Sequence, residues 1–404
     1  MSKESSTYCH YPFHELALKK FYKGNAVTFW PCCMMGNSLP GDPSFALNRL
    51  EVEKPWELTP EEMFYHPRME LLRSRMLNNE RDPACKVCWT QEDSGIKSYR
   101  YFSDSTYHSD KSVSLDVIDL TISNICNLRC RMCDPRNSNL LMVDYKYFEE
   151  NNLLGRVERA TNRWGASNAS SGEKSKQIEW LMNNPGKIKV IKASGGETFY
   201  DQDIINILKT YVKNGAAENI KLEFITNGTL FNTELVDLLN QFKENNHTIS
   251  VDGTGKVYNY IRHMSDFNLL NDSVKLYISS IKNHNKNFQF AFVVSAHNVL
   301  NVADYIEWIQ SLTDKFNIVF SPINPSDRGI SLCHLPVKLL LLAKERLMKF
   351  PNHITENLIA QISYAVEYNK ESKEAILEET VLFDMARNQS YKDFLDPALI
   401  EYLS

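Results

Sequence analysis

Apolar and polar positions follow a short repeating pattern between residues 115 and 322. The predicted strands are an alternating stretch from Leu115 that ends at Ser123, followed by Lys187–Ala193, Lys221–Ile225, His247–Ile249, Phe288–Val294 and Asn317–Phe320. Helical patterns separate these six strands, and such alternation indicates parallel βαβ units rather than an antiparallel sheet. Right-handed crossovers then curl the sheet in one direction. We therefore predict an α/β fold whose sheet is an open, six-unit partial (β/α)6 barrel rather than a closed eight-unit one.

Residues suited to chemistry follow several of these strands. In barrel-like α/β folds the chemistry lies at the carboxyl ends of the strands. The residues in question are Cys126, Cys130 and Cys133 after the first strand, Gly195, Gly196 and Glu197 after the second, Thr226 and Asn227 after the third, and Ser250 and Asp252 after the fourth. Short hydroxyl and carboxylate side chains at such positions suit recognition of ribose and carboxylate groups by hydrogen bonds. The sequence thus predicts a ligand site at one edge of the sheet.

The three cysteines form a C-x3-C-x2-C run, Cys126 to Cys133. Three thiolates on one loop can hold three irons of a cubane cluster and leave the fourth iron without a protein ligand. Zinc is the alternative, but structural zinc sites usually close four ligands from two short elements. Here the run continues into Asp134-Pro135-Arg136 without another Cys or His. The spacing therefore favours an iron-sulfur cluster over zinc.

This run, with Met132 in its apolar position, resembles the cluster loop of radical S-adenosylmethionine (SAM) enzymes. The resemblance implies that the SAM amine and carboxylate chelate the free iron of a [4Fe-4S] cluster. An electron from the cluster would then cleave SAM, and the resulting 5'-deoxyadenosyl radical would abstract a hydrogen atom from substrate. Met132 is placed with the cofactor pocket on the same resemblance.

Further residues extend the resemblance. The Gly195-Gly196-Glu197 turn is similar to the family's turn for the methionyl ammonium, and glycines allow the backbone to approach a ligand closely. Ser250 and Asp252 resemble the ribose-contact position. Arg262 is a candidate to pair with a carboxylate of cofactor or substrate through its planar guanidinium, or else to form a surface salt bridge.

A second cysteine group lies upstream and consists of Cys9, the adjacent pair Cys32 and Cys33, Cys85 and Cys88. One cysteine of the pair and the three others make four soft ligands, enough for an auxiliary iron-sulfur cluster or one zinc ion. We place Cys32 in this set, although the sequence does not separate it from Cys33. The pattern resembles the Twitch module, a shortened relative of the SPASM domain, but here it precedes the barrel instead of following it.

Composition and charge restrict the partners of the protein and the compartment in which we expect it. The net charge of −5 over 404 residues gives no general basic field for nucleic acid. No apolar run approaches the ~20 residues needed to cross a bilayer, and the N-terminus lacks the apolar stretch of a secretory signal. Nine cysteines are then better explained as metal ligands than as disulfides, and we expect a cytoplasmic protein.

These observations predict three units: a Twitch-like module over 1–110, a radical SAM barrel over 111–330 and a helical C-terminal cap over 331–404. The resemblance implies a radical SAM enzyme that acts on a peptide or amino-acid-like substrate, with an electron donor such as flavodoxin or ferredoxin. A small metabolite such as a sugar or nucleotide is the alternative substrate. A protein of another class, with two purely structural metal sites and no catalysis, is the alternative to an enzyme.

Overall fold

The computed structural model describes residues 7–20, 27–34, 57–95, 97–103, 112–121, 123–161, 176–284, 287–323 and 328–404. Its strands form one nine-stranded sheet and a separate two-stranded ribbon. The strands are β1 Glu15–Lys20, β2 Val27–Trp30, β3 Val117–Thr121, β4 Arg129–Cys130, β5 Val190–Ala193, β6 Lys221–Thr226, β7 Glu244–Asn245, β8 Thr248–Ser250, β9 Arg262–His263, β10 Phe288–Val294 and β11 Phe316–Pro322.

The six predicted strands are present and lie side by side in chain order. The sheet runs β11-β10-β8-β6-β5-β3-β1-β2, with β7 pairing beside β6. Each neighbouring pair from β3 to β11 is parallel. The prediction of a parallel α/β sheet is therefore confirmed.

Two strands upstream of the predicted barrel extend the same sheet. β1 pairs with β3 in parallel, and β2 pairs with β1 antiparallel. Leu16 and Leu18 of β1 belong to the same hydrophobic core as the strands that follow. The upstream region thus contributes to the sheet as well as supplying cysteines, and the division into three units stays a prediction.

Helices follow the strands and cover one face of the sheet. They are α1 Tyr11–His14, α2 Pro60–Phe64, α3 Pro67–Leu77, α4 Lys86–Asp93, α5 Met142–Glu150, α6 Leu154–Thr161, α7 Lys176–Asn183, α8 Gln202–Lys213, α9 Thr233–Leu239, α10 Gly255–Ile261, α11 Phe267–Ser280, α12 Val302–Leu312, α13 Val337–Leu347, α14 Asn352–Glu367, α15 Lys373–Arg387 and α16 Pro397–Leu403. Side chains of the residues that directly precede several helices accept hydrogen bonds from backbone N–H groups that are free in the first helical turn. Asp201 caps α8 in this way, Asp266 caps α11 and Ser372 caps α15.

The two faces of the sheet differ because side chains alternate along each strand. On the helix-covered face, Phe290, Phe292 and Val294 of β10 are fully buried in the main core. On the other face lie polar residues such as Asp119 and Lys192, which are paired in register across β3 and β5. This second face, the inner face, borders the predicted ligand site.

Residues 331–404 contain α13 to α16, and their apolar side chains continue the main core. Leu340 and Ala343 of α13 and Leu358 and Ile362 of α14 belong to it. Among the described helices, none combines the length and apolar character needed to cross a bilayer. The helix α15 reaches the carboxyl ends of the strands, where it contacts the cysteine loop.

Candidate functional site at the carboxyl edge of the sheet

The three cysteines of the C-x3-C-x2-C run lie together in the loop after β3. Cys130 is buried, and Cys126 and Cys133 are partly exposed. Burial, with a smaller contribution from the neighbouring Cys133, raises the pKa of the Cys126 thiol to about 12. Cys126 and Cys133 likewise raise the pKa of Cys130, so the three thiols lie near one another. Ligation must deprotonate these thiols, so a metal that binds here releases protons.

A buried ion pair lies directly beside this loop. Arg262 of β9 is paired with Cys130 of β4, and its Nε donates to Asp252 Oδ2 at 2.6 Å. Asp252 Oδ1 accepts from the backbone N–H of Val293 at 2.7 Å. Because both side chains are buried, Arg262 is not part of a surface salt bridge. The Arg262 guanidinium favours the Cys130 thiolate and lowers its pKa against the effect of burial.

The glycine turn after β5 is held against the cysteine loop. Gly196 donates to Ser123 O at 3.1 Å, and Glu197 donates its N–H to Ile125 O at 2.8 Å. A Cβ on Gly196 would lie 2.1 Å from Ile125 O, and Gly195 has a φ of +121°. Both positions therefore require glycine for close approach of the two loops.

Polar residues at the ends of β5 and β6 connect to the same loop. Glu197 accepts from Thr226 Oγ1 and from the Asn227 N–H, both at 2.6 Å. Asn227 Nδ2 donates to Asn127 Oδ1 at 2.8 Å, within the cysteine run. Burial raises the pKa of Glu197, while these hydrogen bonds oppose that shift. The carboxylate thus links two strand ends to the residue that follows Cys126.

The structure places the predicted residues at the carboxyl edge of the sheet. Several of them, which we expected to contact the cofactor, form hydrogen bonds to one another. Asp252 and Arg262 bind each other, and Glu197 binds Thr226 and Asn227. Ser250 is partly exposed, and Met132 packs against the main core. Contact of these seven residues with the cofactor stays a prediction.

Sequence reasoning missed a buried network that links the cysteine loop to α15. Arg131, between the second and third cysteines, is 2% exposed and pairs with Asp384. Tyr260 also donates to Asp384, at 2.8 Å. Arg328 donates to the Arg131 carbonyl oxygen at 2.8 Å. The sequence offers one signal of this network, a charged residue inside a cysteine run. The partner of that residue, Asp384, is 253 residues away along the chain and could not be identified from the sequence.

Four of the five upstream cysteines line a single pocket of about 410 Å³. Its walls include Cys9, Cys32, Cys85 and Cys88, together with aromatic residues and Arg100. Burial raises the pKa of Cys9 to about 12, and that of Cys32 and Cys85 well above the ordinary value. The four predicted ligands therefore converge on one pocket, with Cys9 and Cys88 buried and Cys32 and Cys85 partly exposed.

Cys33 points away from this pocket. It is absent from the pocket walls, and the groups that act on its thiol are Glu15, Asp119, Tyr99 and Lys192. Burial and the two carboxylates raise the pKa of this thiol to about 11. The geometry thus groups Cys32, and not Cys33, with the other three cysteines.

The spacing of the thiols affects whether each site could hold a single metal ion or an iron-sulfur cluster. Within the described residues, no three Cys, His, Asp or Glu side chains are arranged to hold one metal ion. Four sulfurs around one zinc must each lie about 2.3 Å from it. A cubane places a separate iron at each sulfur and so accepts wider spacing. The two donor sets, three thiols in the loop and four in the upstream group, agree in type and number with the ligands of iron-sulfur clusters.

A comparison with protein-family models gives a match for the central segment of the chain. Residues 120–294, a little under half of the chain, match the model of the Radical SAM superfamily. This segment is a Radical SAM domain, which implies a [4Fe-4S] cluster and SAM. The parallel α/β sheet is consistent with the fold of that superfamily. A comparison with curated proteins gives no match.

Solved structures give more distant likenesses. The chain is similar to anSMEcpe with bound AdoMet, with 17% identity and a TM-score of 0.37, over 60% of this chain and 62% of that chain. It is similar to SuiB from Streptococcus suis bound to S-adenosylmethionine, with 14% identity and a TM-score of 0.37, over 70% and 62% of the two chains. The chain thus spans about three fifths of these structures, and TM-scores this low carry no argument about function.

Proposed function

We propose that this protein is a radical SAM enzyme that cleaves SAM reductively at a cluster held by Cys126, Cys130 and Cys133. The observation that carries the proposal is the loop itself: three mutually close thiols lie at the carboxyl edge of a parallel sheet, beside the Gly195-Gly196-Glu197 turn. When bound, the cluster and SAM supply a 5'-deoxyadenosyl radical that abstracts hydrogen. A reduced protein such as flavodoxin or ferredoxin would supply the electron.

The chain's own residues would orient these groups and exclude water. Arg262 places a positive charge beside Cys130 and is fixed by Asp252, which favours the thiolate form that iron requires. Glu197 fixes the ends of β5 and β6 against the cysteine loop. Such rigid placement is the protein's contribution when a cofactor carries the chemistry.

Cleavage of SAM by the parent protein is the direct test. After anaerobic reconstitution with iron and sulfide, addition of dithionite and SAM is expected to yield 5'-deoxyadenosine, slowly, even without substrate. Chromatography of the quenched reaction measures the nucleoside. A reconstituted protein that binds four irons at the loop yet forms no 5'-deoxyadenosine would support the non-catalytic alternative.

The upstream pocket is proposed to hold an auxiliary iron-sulfur cluster on Cys9, Cys32, Cys85 and Cys88. Support comes from their shared pocket and from Arg100, which lies 4.7 Å over the Trp89 ring and donates to Glu92 at 3.0 Å. This fixed cation lies beside thiols that would become thiolates. The resemblance to Twitch modules favours a peptide side chain or a small metabolite as substrate, and of these two we propose a peptide or amino-acid-like substrate.

The metal content of the protein distinguishes an auxiliary iron-sulfur cluster from a zinc ion in this pocket. Two cubanes require about eight irons per chain. We expect that value from the reconstituted protein, and about four from the Cys85→Ala variant. Cys33→Ala is the matched control, because Cys33 lies outside the pocket, and should retain about eight. About four irons with one zinc in the parent would contradict the auxiliary cluster.

A further inference from the structure

Two asparagines that follow β10, Asn298 and Asn301, lie against the turn that follows β8. Asn298 is fully buried, and its Oδ1 accepts from the N–H and the hydroxyl of Ser295 at 2.8 and 3.1 Å. Its Nδ2 donates to the carbonyl oxygens of Val293 at 2.9 Å and of Asp252 at 3.1 Å. The Asn298 side chain therefore joins the end of β10 to the turn after β8.

Asn301 holds the other side of the same turn. Its Oδ1 accepts from the Thr254 N–H at 2.7 Å, and its Nδ2 donates to the Asp304 carboxylate at 2.9 Å. A Cβ on Gly253 would lie 2.9 Å from Asn301 Oδ1, so the turn and the Asn301 side chain are in close contact. The two asparagines thus bind the turn at Asp252 and at Thr254, on either side of Gly253.

The contacts between the two segments change in kind where β8 ends. Along the strands the backbones are paired, with Ala291 opposite Ser250, and the Val251 N–H donates to the Ala291 carbonyl oxygen at 3.0 Å. In the turn itself side chains make the connection, since Asp252 Oδ1 accepts from the Val293 N–H and the two asparagines bind the backbone of the turn. The position of the turn therefore depends on these side chains.

We propose that Asn298 and Asn301 are positioning residues for SAM, and that they hold the turn after β8 where it contacts the ribose. Asn298 acts through the turn and not by contact with SAM, because it is fully buried and both of its polar atoms are bound within the protein. A buried polar group whose hydrogen bonds are satisfied rigidifies its surroundings. Its loss should therefore weaken the binding of SAM. This inference rests on the proposed function and on the expected ribose contact of Ser250 and Asp252.

The test measures the binding of SAM separately from its cleavage. Equilibrium dialysis of radiolabelled SAM against the oxidised, reconstituted protein gives the dissociation constant without turnover. We expect Asn298→Ala to raise this constant about tenfold, because displacement of a binding group by ~1 Å has effects of this size or larger. Asn301→Ala should raise it at least about threefold, the effect of one lost hydrogen bond. The rate of 5'-deoxyadenosine formation at saturating SAM should fall by a smaller factor than the affinity.

Asn240→Ala is the matched control, because Asn240 makes similar connections at the opposite, amino edge of the sheet. Its Oδ1 accepts from the Lys282 N–H at 2.8 Å, and its Nδ2 donates to the Ser280 carbonyl oxygen at 3.1 Å. This variant loses comparable hydrogen bonds far from the turn, and should bind SAM within about twofold of the parent. A role of Asn298 in folding alone would affect the two variants alike.

The inference is overturned if folded Asn298→Ala binds SAM as tightly as the parent, or if Asn240→Ala weakens binding by the same factor. Circular dichroism establishes whether each variant is folded. If Asn298→Ala does not fold, Asn301→Ala decides by the same criterion. A parent protein that binds SAM but forms no 5'-deoxyadenosine would instead overturn the proposed function, so the two failures are distinct.

Discussion

The Cys130→Ala variant is expected to form no detectable 5'-deoxyadenosine. Cys130 is the most buried of the three loop cysteines, and its thiol is influenced by the other two and by Arg262. Its removal leaves two thiolates for a cluster that needs three, and a metal site loses affinity steeply when a ligand is lost. The measurement is nucleoside formed per chain after anaerobic reconstitution with SAM and dithionite.

Cys333→Ala is the control for this result. Cys333 is buried in the main core near α13 and is distant in sequence from both cysteine groups. It should retain the parent's iron content and SAM cleavage. Circular dichroism of the two variants separates loss of ligation from loss of folding. If Cys130→Ala folds and still cleaves SAM as the parent does, the loop is not the catalytic cluster site.

The repeating strand pattern predicted the sheet well, because burial of one face of each strand produces an alternation of apolar and polar residues that the sequence shows directly. Phe288–Val294 is a strand over the residues predicted, and the other five differ at their ends by a few residues. β1 was missed although Leu16 and Leu18 occupy alternate positions of Glu15–Lys20. This six-residue strand lies about a hundred residues before the repeating units, so only its pairing with β3 shows that it extends the sheet.

The candidate site was less predictable than the fold, because side-chain partners depend on contacts between distant residues. The motif spacing identified the three loop cysteines, yet it could not show that Arg262 pairs with Asp252 or that Glu197 binds Thr226. Cys32 and Cys33 are adjacent, so only the backbone geometry of the turn after β2 determines which thiol faces the pocket.

The contact of the cysteine loop with α15 explains why a buried arginine occurs between two of the cysteines. Arg131 donates to Tyr260 O at 3.0 Å, and its guanidinium lies 3.6 Å from the Tyr260 ring centre. Asp384 accepts from Arg131 and Tyr260 through Oδ1, and from the Tyr391 N–H through Oδ2 at 2.7 Å. The Asp384 carboxylate therefore satisfies three donors and attaches α15 to the cysteine loop.

The Asp384→Asn variant is expected to lower the free energy of unfolding by about 3–5 kcal/mol, because it leaves the buried Arg131 charge without a counter-ion. Urea unfolding of the apoprotein under anaerobic conditions measures this loss. The iron content of the reconstituted variant should also fall, since the loop would lose its attachment to α15. Both effects follow from the same missing carboxylate.

An exposed pair in the same loop provides the comparison. Arg136 binds Asp134 at 2.8 Å, but its side chain is 50% exposed. Arg136→Ala should therefore change the free energy of unfolding by less than about 1 kcal/mol and leave the iron content unchanged. Replacement of both buried partners, Arg131→Met with Asp384→Leu, should recover part of the stability lost in Asp384→Asn, because no buried charge then remains unpaired. If Asp384→Asn unfolds at the same urea concentration as Arg136→Ala, the network does not hold the loop, and its position must depend on the cysteine ligands and the glycine turn alone.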